Sequence, residues 1–437
     1  MTGRARYVKA DREQPRWDLV DLNSQLPSDH RARVVWAFVE SLDLGALYGA
    51  IRALEGGAGR PPIDPAILLA LWLYATLEGV GSARQLERLC GRDAAYRWLC
   101  GGASVNYHGL SDFRVEHGAV LDRLLTDSVS ALALEGLVSL EEMAVDGTKI
   151  QASAGRGSFR RGERLAAIEE AADKRVAALK AELGADPAAS ECRRRAAQQR
   201  AAEDVAKRAQ KARATLETLD EARRARAKTH KADEAKKKEP RASTTDPQAR
   251  RMRFPDGAIR AGYNVQLAAL TDSGIVVGAE VTDRRNDAGL ARPMMDQVHR
   301  RYHCRPKRLL VDTHYATQAD IEALATPGLD GSVVEVYSPL PPDKPDATPE
   351  SQRKRAAKRK RQSEAIIAWR TRMSDPESQT VYRRRSRIET INALFKARTL
   401  RVMLVRSIEK VRCVVLLNVL AHNLWRAHTL RNLRAAA

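Results

Sequence analysis

No stretch of the chain approaches the ~20 consecutive apolar residues that a membrane-spanning helix needs, which excludes a membrane-embedded enzyme or carrier. The opening residues "MTGRARYVKADREQPRWDLV" hold no apolar block of the kind a secretory signal carries, so the expected compartment is the cytoplasm. Cysteine is scarce: Cys90, Cys100, Cys192, Cys304 and Cys413 are odd in number, scattered, and form no C-x-x-C pair. Neither a disulfide framework nor a zinc module is supported, and buried or incidental thiols are expected. The 9 histidines show no ligand spacing, which disfavours zinc chemistry as well.

What the chain has in excess is positive charge. Lysine and arginine number 75 against 55 acids, for a net charge of +20 and a pI near 10.0. Such a balance favours polyanions, namely DNA, RNA or an anionic membrane surface, of which the membrane is the weakest option here. With 437 residues, 43% of them hydrophobic, the chain is long enough for two or three domains with real cores.

Patterning divides it into unequal pieces. Up to residue 138 the apolar residues recur at helical spacing: "RARVVWAFVESLDL" opens after Ser28 and Asp29, and "IDPAILLALWLYATLEGV" opens after the turn "GRPP". Within this all-helical N-terminal domain (1–138), "SARQLERLCGRDAAYRWLC" and "GLSDFRVEHGAVLDRLLTDSV" predict short helices, with Ser111 as an N-cap and Arg84, Arg88 and Arg114 exposed. They read either as a DNA-binding helix-turn-helix or as plain packing units. From residue 139 to 437 strands appear: "EEMAVDGTKI", "GYNVQLAAL", "GIVVGAEVT", "KRLLVDTHYA" and "SVVEVYS", with helices at "AGLARPMMDQVHRRYH" and "TQADIEALAT". That order predicts an α/β domain, a mixed sheet flanked by helices, with the apolar helix "IEKVRCVVLLNVLAHNLWRAH" packed on it.

Residues 159–241 interrupt the strands. Leu165, Ile168, Ala172, Val176, Leu179 and Leu183 fall at spacings of three or four, and a second Ala/Arg/Lys-rich helix follows to about Lys228. This is a charged helical hairpin with a thin apolar stripe, suited to weak coiled-coil packing. Further on, "PPDKPDATPESQRKRAAKRKRQ" is a Pro-rich loop running into a basic helix that adds reach toward phosphates. Thr245 and Asp246 before Pro247 are expected to form a turn. Asn264 and Gln266 should satisfy strand-end hydrogen bonds, and His422 with Asn423 should cap or pack.

Three acids carry the candidate chemistry. Asp146 follows the apolar strand "MAV" and Asp312 follows "LLV", so each is placed where backbone leaves the core at an open sheet edge; an acid there can also simply cap a turn. Glu389 is the one acid in "YRRRSRIETINALFK". On a helix Tyr382, Arg385, Glu389 and Lys396 share one stripe, while Ile388, Ile391 and Phe395 form a separate apolar one. If that apolar stripe packs on the sheet, Glu389 leans over Asp146 and Asp312. The bland alternative is an Arg385–Glu389 i,i+4 pair, and both can hold at once.

These residues carry a family resemblance. Tyr382, Arg385, Glu389 and Lys396 match the Y-x2-R-x3-E-x6-K signature of DDE-type insertion-sequence transposases, and "DGT" at Asp146 and "DTHY" at Asp312 resemble that family's first two acid motifs. "GRPPIDPAILLALWLYA", "GSARQLE" and "LSDFR" look like its N-terminal domain, "TTDPQARRM" and "GYNVQ" like its central strands, and "LAHNLWR" like its C-terminal helix. The chain is most similar to the IS1182 group. His314 stands where the family usually carries glycine, two residues after the second acid, and histidine is among the non-glycine residues that best tolerate a positive φ.

The resemblance implies a ribonuclease-H-like catalytic domain in which Asp146, Asp312 and Glu389 bind two magnesium ions, with manganese as a substitute. Asp146 would contact both ions and the other two acids one each. Arg385 and Lys396 would meet phosphates, and Tyr382 would position the strand or pack. Two cations about 3.5–4 Å apart serve both oxygens of an in-line displacement, and magnesium favours hard carboxylate oxygen. The implied partners are double-stranded DNA, both terminal inverted repeats and target, and a second copy forming a homodimer on paired ends, at the nucleoid of a prokaryote. The implied activity is metal-dependent cleavage and strand transfer. A DNA-binding protein of transposase descent without catalysis, and a nuclease without strand transfer, are the alternatives.

Overall fold

The computed structural model describes residues 21–51, 62–185, 189–229, 240–313, 315–328, 331–341 and 362–437. His314, the first twenty residues and most of the Pro-rich and basic stretch lie outside the described residues. Among the described residues seven helices come first: α1 (Arg31–Glu40), α2 (Gly45–Gly49), α3 (Pro65–Leu77), α4 (Ala83–Arg92), α5 (Ala94–Cys100), α6 (Tyr107–Glu116) and α7 (Gly118–Leu134). α3 is buried on every side from Leu68 to Leu77, as its uniformly apolar sequence requires. Asp64 starts it by accepting the Ala66 N–H at 2.8 Å, with Pro65 at the first helical position.

Two expectations for this region are corrected. Ser111 lies inside α6, and the cap is Asn106, whose side chain accepts the Gly109 N–H at 2.8 Å. Arg114 is buried rather than exposed: its guanidinium donates to the Gly81 carbonyl at 2.5 Å and sits 4.8 Å over the Trp72 ring. A long aliphatic stem with one planar cationic end can be buried where a carbonyl and an aromatic face receive it.

The chain then passes through β1 (Glu142–Gln151), β2 (Phe159–Arg160), α8 (Gly162–Ala185), α9 (Ala189–Thr229), β3 (Ala242–Ser243), β4 (Arg250–Arg253), β5 (Ile259–Leu270), β6 (Val276–Thr282), α10 (Ala291–Tyr302), β7 (Arg308–Leu310), α11 (Gln318–Ala325) and β8 (Glu335–Tyr337). β5 pairs antiparallel with β1, β4 and β6; β7 runs parallel to β1 and β8 parallel to β7. The six-stranded sheet is therefore mixed, three antiparallel pairings continued by two parallel ones, as the strand order in the sequence predicts.

Four helices close the chain: Glu364–Ser374, Pro376–Arg383, Ser386–Arg398 and Ile408–Ala436. The last packs against β6 on one side and α3, α6 and α7 on the other. Helical N-terminal part and sheet thus share one continuous hydrophobic core. Asn423 acts as a strand partner at the sheet edge, accepting the Val276 N–H at 2.8 Å and donating to its carbonyl at 2.7 Å. His422 beside it is buried with Nε2 2.9 Å from the Gly274 carbonyl, and burial lowers its pKa to about 4. Both residues pack, as expected. Asp246 does more than turn the chain: it is buried and accepts from the Tyr263 hydroxyl at 2.7 Å and the Ser407 N–H at 3.3 Å.

α8 and α9 pack on each other as an inserted hairpin, with Leu165, Ala172 and Leu179 of the expected stripe buried. Leu165, Ala212, Ala242 and Leu216 make a small cluster separate from the main core. The two ends of the insertion are held together where β2 pairs with β3. Among the described residues no helix is long and apolar enough to cross a membrane.

Candidate active site

β1 and β7 run parallel, and their last registered pair is Ala144 with Leu310. Asp146 and Asp312 each stand two residues beyond that pair, Asp312 past the carboxyl end of β7. Asp146 is not at a strand tip, however. β1 continues to Gln151 along β5 and pairs Asp146 with Leu267; what opens beside the acid is the edge left where β7 departs.

The stretch from Tyr382 to Lys396 is likewise not one helix. Pro376–Arg383 ends, Arg384 and Arg385 form a tight turn, and Ser386–Arg398 begins. The N–H groups of Arg384, Arg385 and Ile388 each donate to the carbonyl three residues back, at 3.0–3.1 Å. This is 3₁₀ winding, in which residues i and i+3 eclipse, so Tyr382 and Arg385 stay on one side of the chain. Ile388, Ile391 and Phe395 are buried, as expected, and seat the second helix on β1 and β5.

Arg385 joins the two halves of the site. One guanidinium nitrogen lies 2.9 Å from Asp146 Oδ1 and another 2.5 Å from Glu389 Oε1. The local pair and the long-range contact therefore coexist. Asp146 Oδ2 accepts from Asn392 Nδ2 at 2.9 Å, while Asn392 Oδ1 and Arg385 Nε are buried without a partner. Burial raises the Asp146 pKa against the pull of Arg385. Burial also raises the Tyr382 phenol, Arg385 opposes it, and Asp312, Glu389 and Asp146 all add to it, so this one phenol senses all three acids. Lys396 is lowered by burial and supported by Asp146. Arg385 thus touches both Asp146 and Glu389, and the charges of Asp146, Asp312 and Glu389 all act on the Tyr382 phenol.

Two residues that sequence reasoning passed over belong to it. Asn392 is one, on the half-turn between Glu389 and Lys396, where a polar residue in an otherwise apolar stripe was the available signal. The other is Asp287, in the loop after β6, which sequence alone reads as a turn residue. Its Oδ1 accepts from Asn264 Nδ2 at 2.6 Å and Gln266 Nε2 at 2.8 Å, and Gln266 in turn takes the Tyr315 hydroxyl. Asn264 and Gln266 are satisfied, then, by a loop carboxylate rather than at a strand end. A Cβ on Gly147 would stand 2.0 Å from Asp287 Oδ1, so a larger residue here must displace the Asp287 and Gln266 side chains from β1.

The donors suit a hard divalent cation: carboxylate oxygens of Asp146, Asp312 and Glu389, and the unpartnered amide oxygen of Asn392. Among the described residues no three His, Cys, Asp or Glu side chains lie close enough to chelate one ion, and the Arg385 guanidinium supplies the positive charge between two of the acids.

A mixed sheet of this order is that of a ribonuclease-H-like fold. Residues 227–424 match a family model described as a transposase DDE domain, and residues 20–116 match one described as a transposase domain (DUF772). The two cover about two thirds of the chain, and the chain belongs to the DDE insertion-sequence transposases. The DDE match takes in Asp312, Arg385, Glu389 and Lys396, whereas Asp146 lies between the two matches. Neither a curated protein nor a solved structure gives a significant match.

Proposed function

We propose that the chain is an active transposase that binds the terminal inverted repeats of its insertion sequence, cleaves them in a divalent-metal-dependent step and joins the ends to target DNA. The observation that carries this reading is Arg385 holding Asp146, 239 residues away in sequence, together with Glu389 beside Asn392. Asp146, Asp312 and Glu389 would hold the metal ions. Two bound magnesium ions would activate the attacking oxygen and stabilise the leaving one. Arg385 offers a planar fork matched to phosphate; as DNA arrives, its transfer from the acids to a phosphate frees both carboxylates. Asn392 holds Asp146 through Nδ2, with its own oxygen unpartnered. Lys396 contributes a half-buried cation whose charge is supported by Asp146, and Tyr382 would position the strand or pack.

One feature favours the alternative of a DNA-binding protein without catalysis: the guanidinium already neutralises two acids. Incubating the purified protein with DNA bearing its element's ends and magnesium separates the readings. Nicked and joined products are expected from the wild type, and neither from Glu389→Gln or Asp146→Asn, while gel-shift affinity persists. A gel shift with no nicking in magnesium or manganese supports the inactive reading; nicking without joined products marks a nuclease.

A further inference from the structure

The helix that carries Glu389 has a second charged face. Arg387, two residues earlier, points roughly the opposite way. Here Arg383, Arg384, Ser386, Arg387, Thr390 and Thr271 line an open cleft of about 400 Å³. The tight β5–β6 turn contributes Thr271 to this lining, and within the turn Gly274 holds a φ of 73°. The Arg387 stem lies 3.3 Å from the point a Cβ on Gly274 would occupy, and Arg426 Nε lies 3.7 Å from the same point. Two arginines are thus packed over one glycine.

Their charges are not balanced. Arg426 Nε donates to the Ser273 carbonyl, and burial and the charge of Arg387 both lower its pKa. Arg384 is paired with Glu142 at 3.1 Å, an acid that Arg308 also engages at 3.2 Å. Asp272, at the turn, accepts the Ser273 N–H. Among the described residues, Arg383, Arg387 and Arg426 have no carboxylate partner. Arg383, Arg384 and Arg387 are exposed and Arg426 beside them is half-buried, so like charges are gathered around one open cleft, a repulsion that an anion removes.

We propose that this cleft is a second phosphate-binding groove, which takes the backbone of a DNA duplex segment separate from the strand at the acids. Guanidinium forks and neighbouring hydroxyls are the groups that meet phosphate oxygens without reading sequence. The inference rests on the DNA-binding part of the proposed function and is independent of metal chemistry.

The test is the salt dependence of duplex binding. On duplex DNA each phosphate contact contributes about 0.9 to the slope of log K against log salt, so the Arg387→Gln/Arg426→Gln double variant should lose about 2 from the wild-type slope and Arg383→Gln about 1. Thermal melts check that the double variant is folded, since it relieves a repulsion but also removes the Arg426–Ser273 hydrogen bond; Arg383→Gln, at the rim, gives the same salt-slope readout should the double variant fold poorly. Wild-type slopes in both overturn the groove. A phosphate-induced rise in the melting temperature of wild type alone, with DNA slopes unchanged, marks a small-anion pocket and also overturns it. A wild type that shows no salt-dependent duplex binding removes the DNA reading itself.

Discussion

The crevice at the parallel edge of the sheet and the α8–α9 hairpin are built from the same charged residue types, yet they use charge in opposite ways. In the hairpin, Lys174–Glu170, Arg208–Asp204 and Arg224–Asp220 are i,i+4 pairs on exposed faces, determined by local spacing. In the crevice, Asp146 and Arg385 meet across most of the chain with side chains only 19% and 11% exposed. Exposed local pairs are worth little because water screens them, whereas removing one member of a buried pair strands the other. Charge in the hairpin is paired locally along each helix; charge in the crevice is held by tertiary contacts between distant elements.

That contrast can be broken at several strengths. Asp146→Asn should lower magnesium-dependent nicking by roughly a thousandfold, the scale of losing a central electrostatic element of a site. Near-normal nicking would reduce the crevice to another set of counter-charges.

Acid should weaken the sheet core through His422. Its folded pKa of about 4 lies below the ordinary 6.5, so the unfolded chain binds the proton more tightly, and stability falls as pH drops from 6.5 toward 4, by roughly 3 kcal/mol in all. Arg398 and Arg426 reinforce the shift, while the Gly274 carbonyl opposes it. Asp146 and Asp246, raised by burial, act with the opposite sign, so the difference between wild type and His422→Gln in denaturation at several pH values isolates the term. Identical pH profiles would remove it.

Gly147→Ala should cost about 2 kcal/mol by forcing Asp287 and Gln266 away from β1, since the new Cβ meets them at 2.0 and 2.7 Å. Thermal melts of this variant alone and combined with Asp287→Ala should show partial recovery in the pair; purely additive losses would argue against the clash.

Asn392→Ala should weaken divalent-metal affinity by about 10–100-fold, the usual effect of removing a group that orients a ligand. Titration calorimetry with manganese reads this directly, and unchanged affinity would leave Asn392 a packing residue.

The smallest effect is expected in the hairpin. Excising it between Arg161 and Arg241 and closing the β2–β3 ladder with a short linker should leave the melting temperature of the main core nearly unchanged, because the insertion has its own small cluster and adjacent ends. Salt dependence of DNA binding should flatten. Unfolding of the remainder would show that the two regions are not separable.

Much of the fold was legible because it follows from local rules. The strand and helix order from Glu142 to Tyr337, the hairpin stripe at Leu165, Ala172 and Leu179, and the buried face of Ile388, Ile391 and Phe395 all come from periodicity that neighbouring residues enforce. The misreadings have a common cause. Ser111 and Arg114 were assigned by residue type, and each was overruled by a better local partner or one distant in sequence, Asn106 for the cap and Gly81 with Trp72 for the arginine; Asp246 keeps its expected turn and adds the distant partners Tyr263 and Ser407.

By itself the sequence determined the element order, the basic character and the identities of the acids, since spacing, charge and motif are properties of the chain as written. Only the tertiary structure decided that Asp146 sits within a strand, that the motif breaks into 3₁₀ winding at Arg384 and Arg385, that Asn392 and Asp287 join the crevice, and that Arg387 is pressed against Arg426. These depend on which backbones are packed side by side. A carboxylate's partner in a buried site is chosen by sheet register and helix seating, and neither is encoded within the few residues around it.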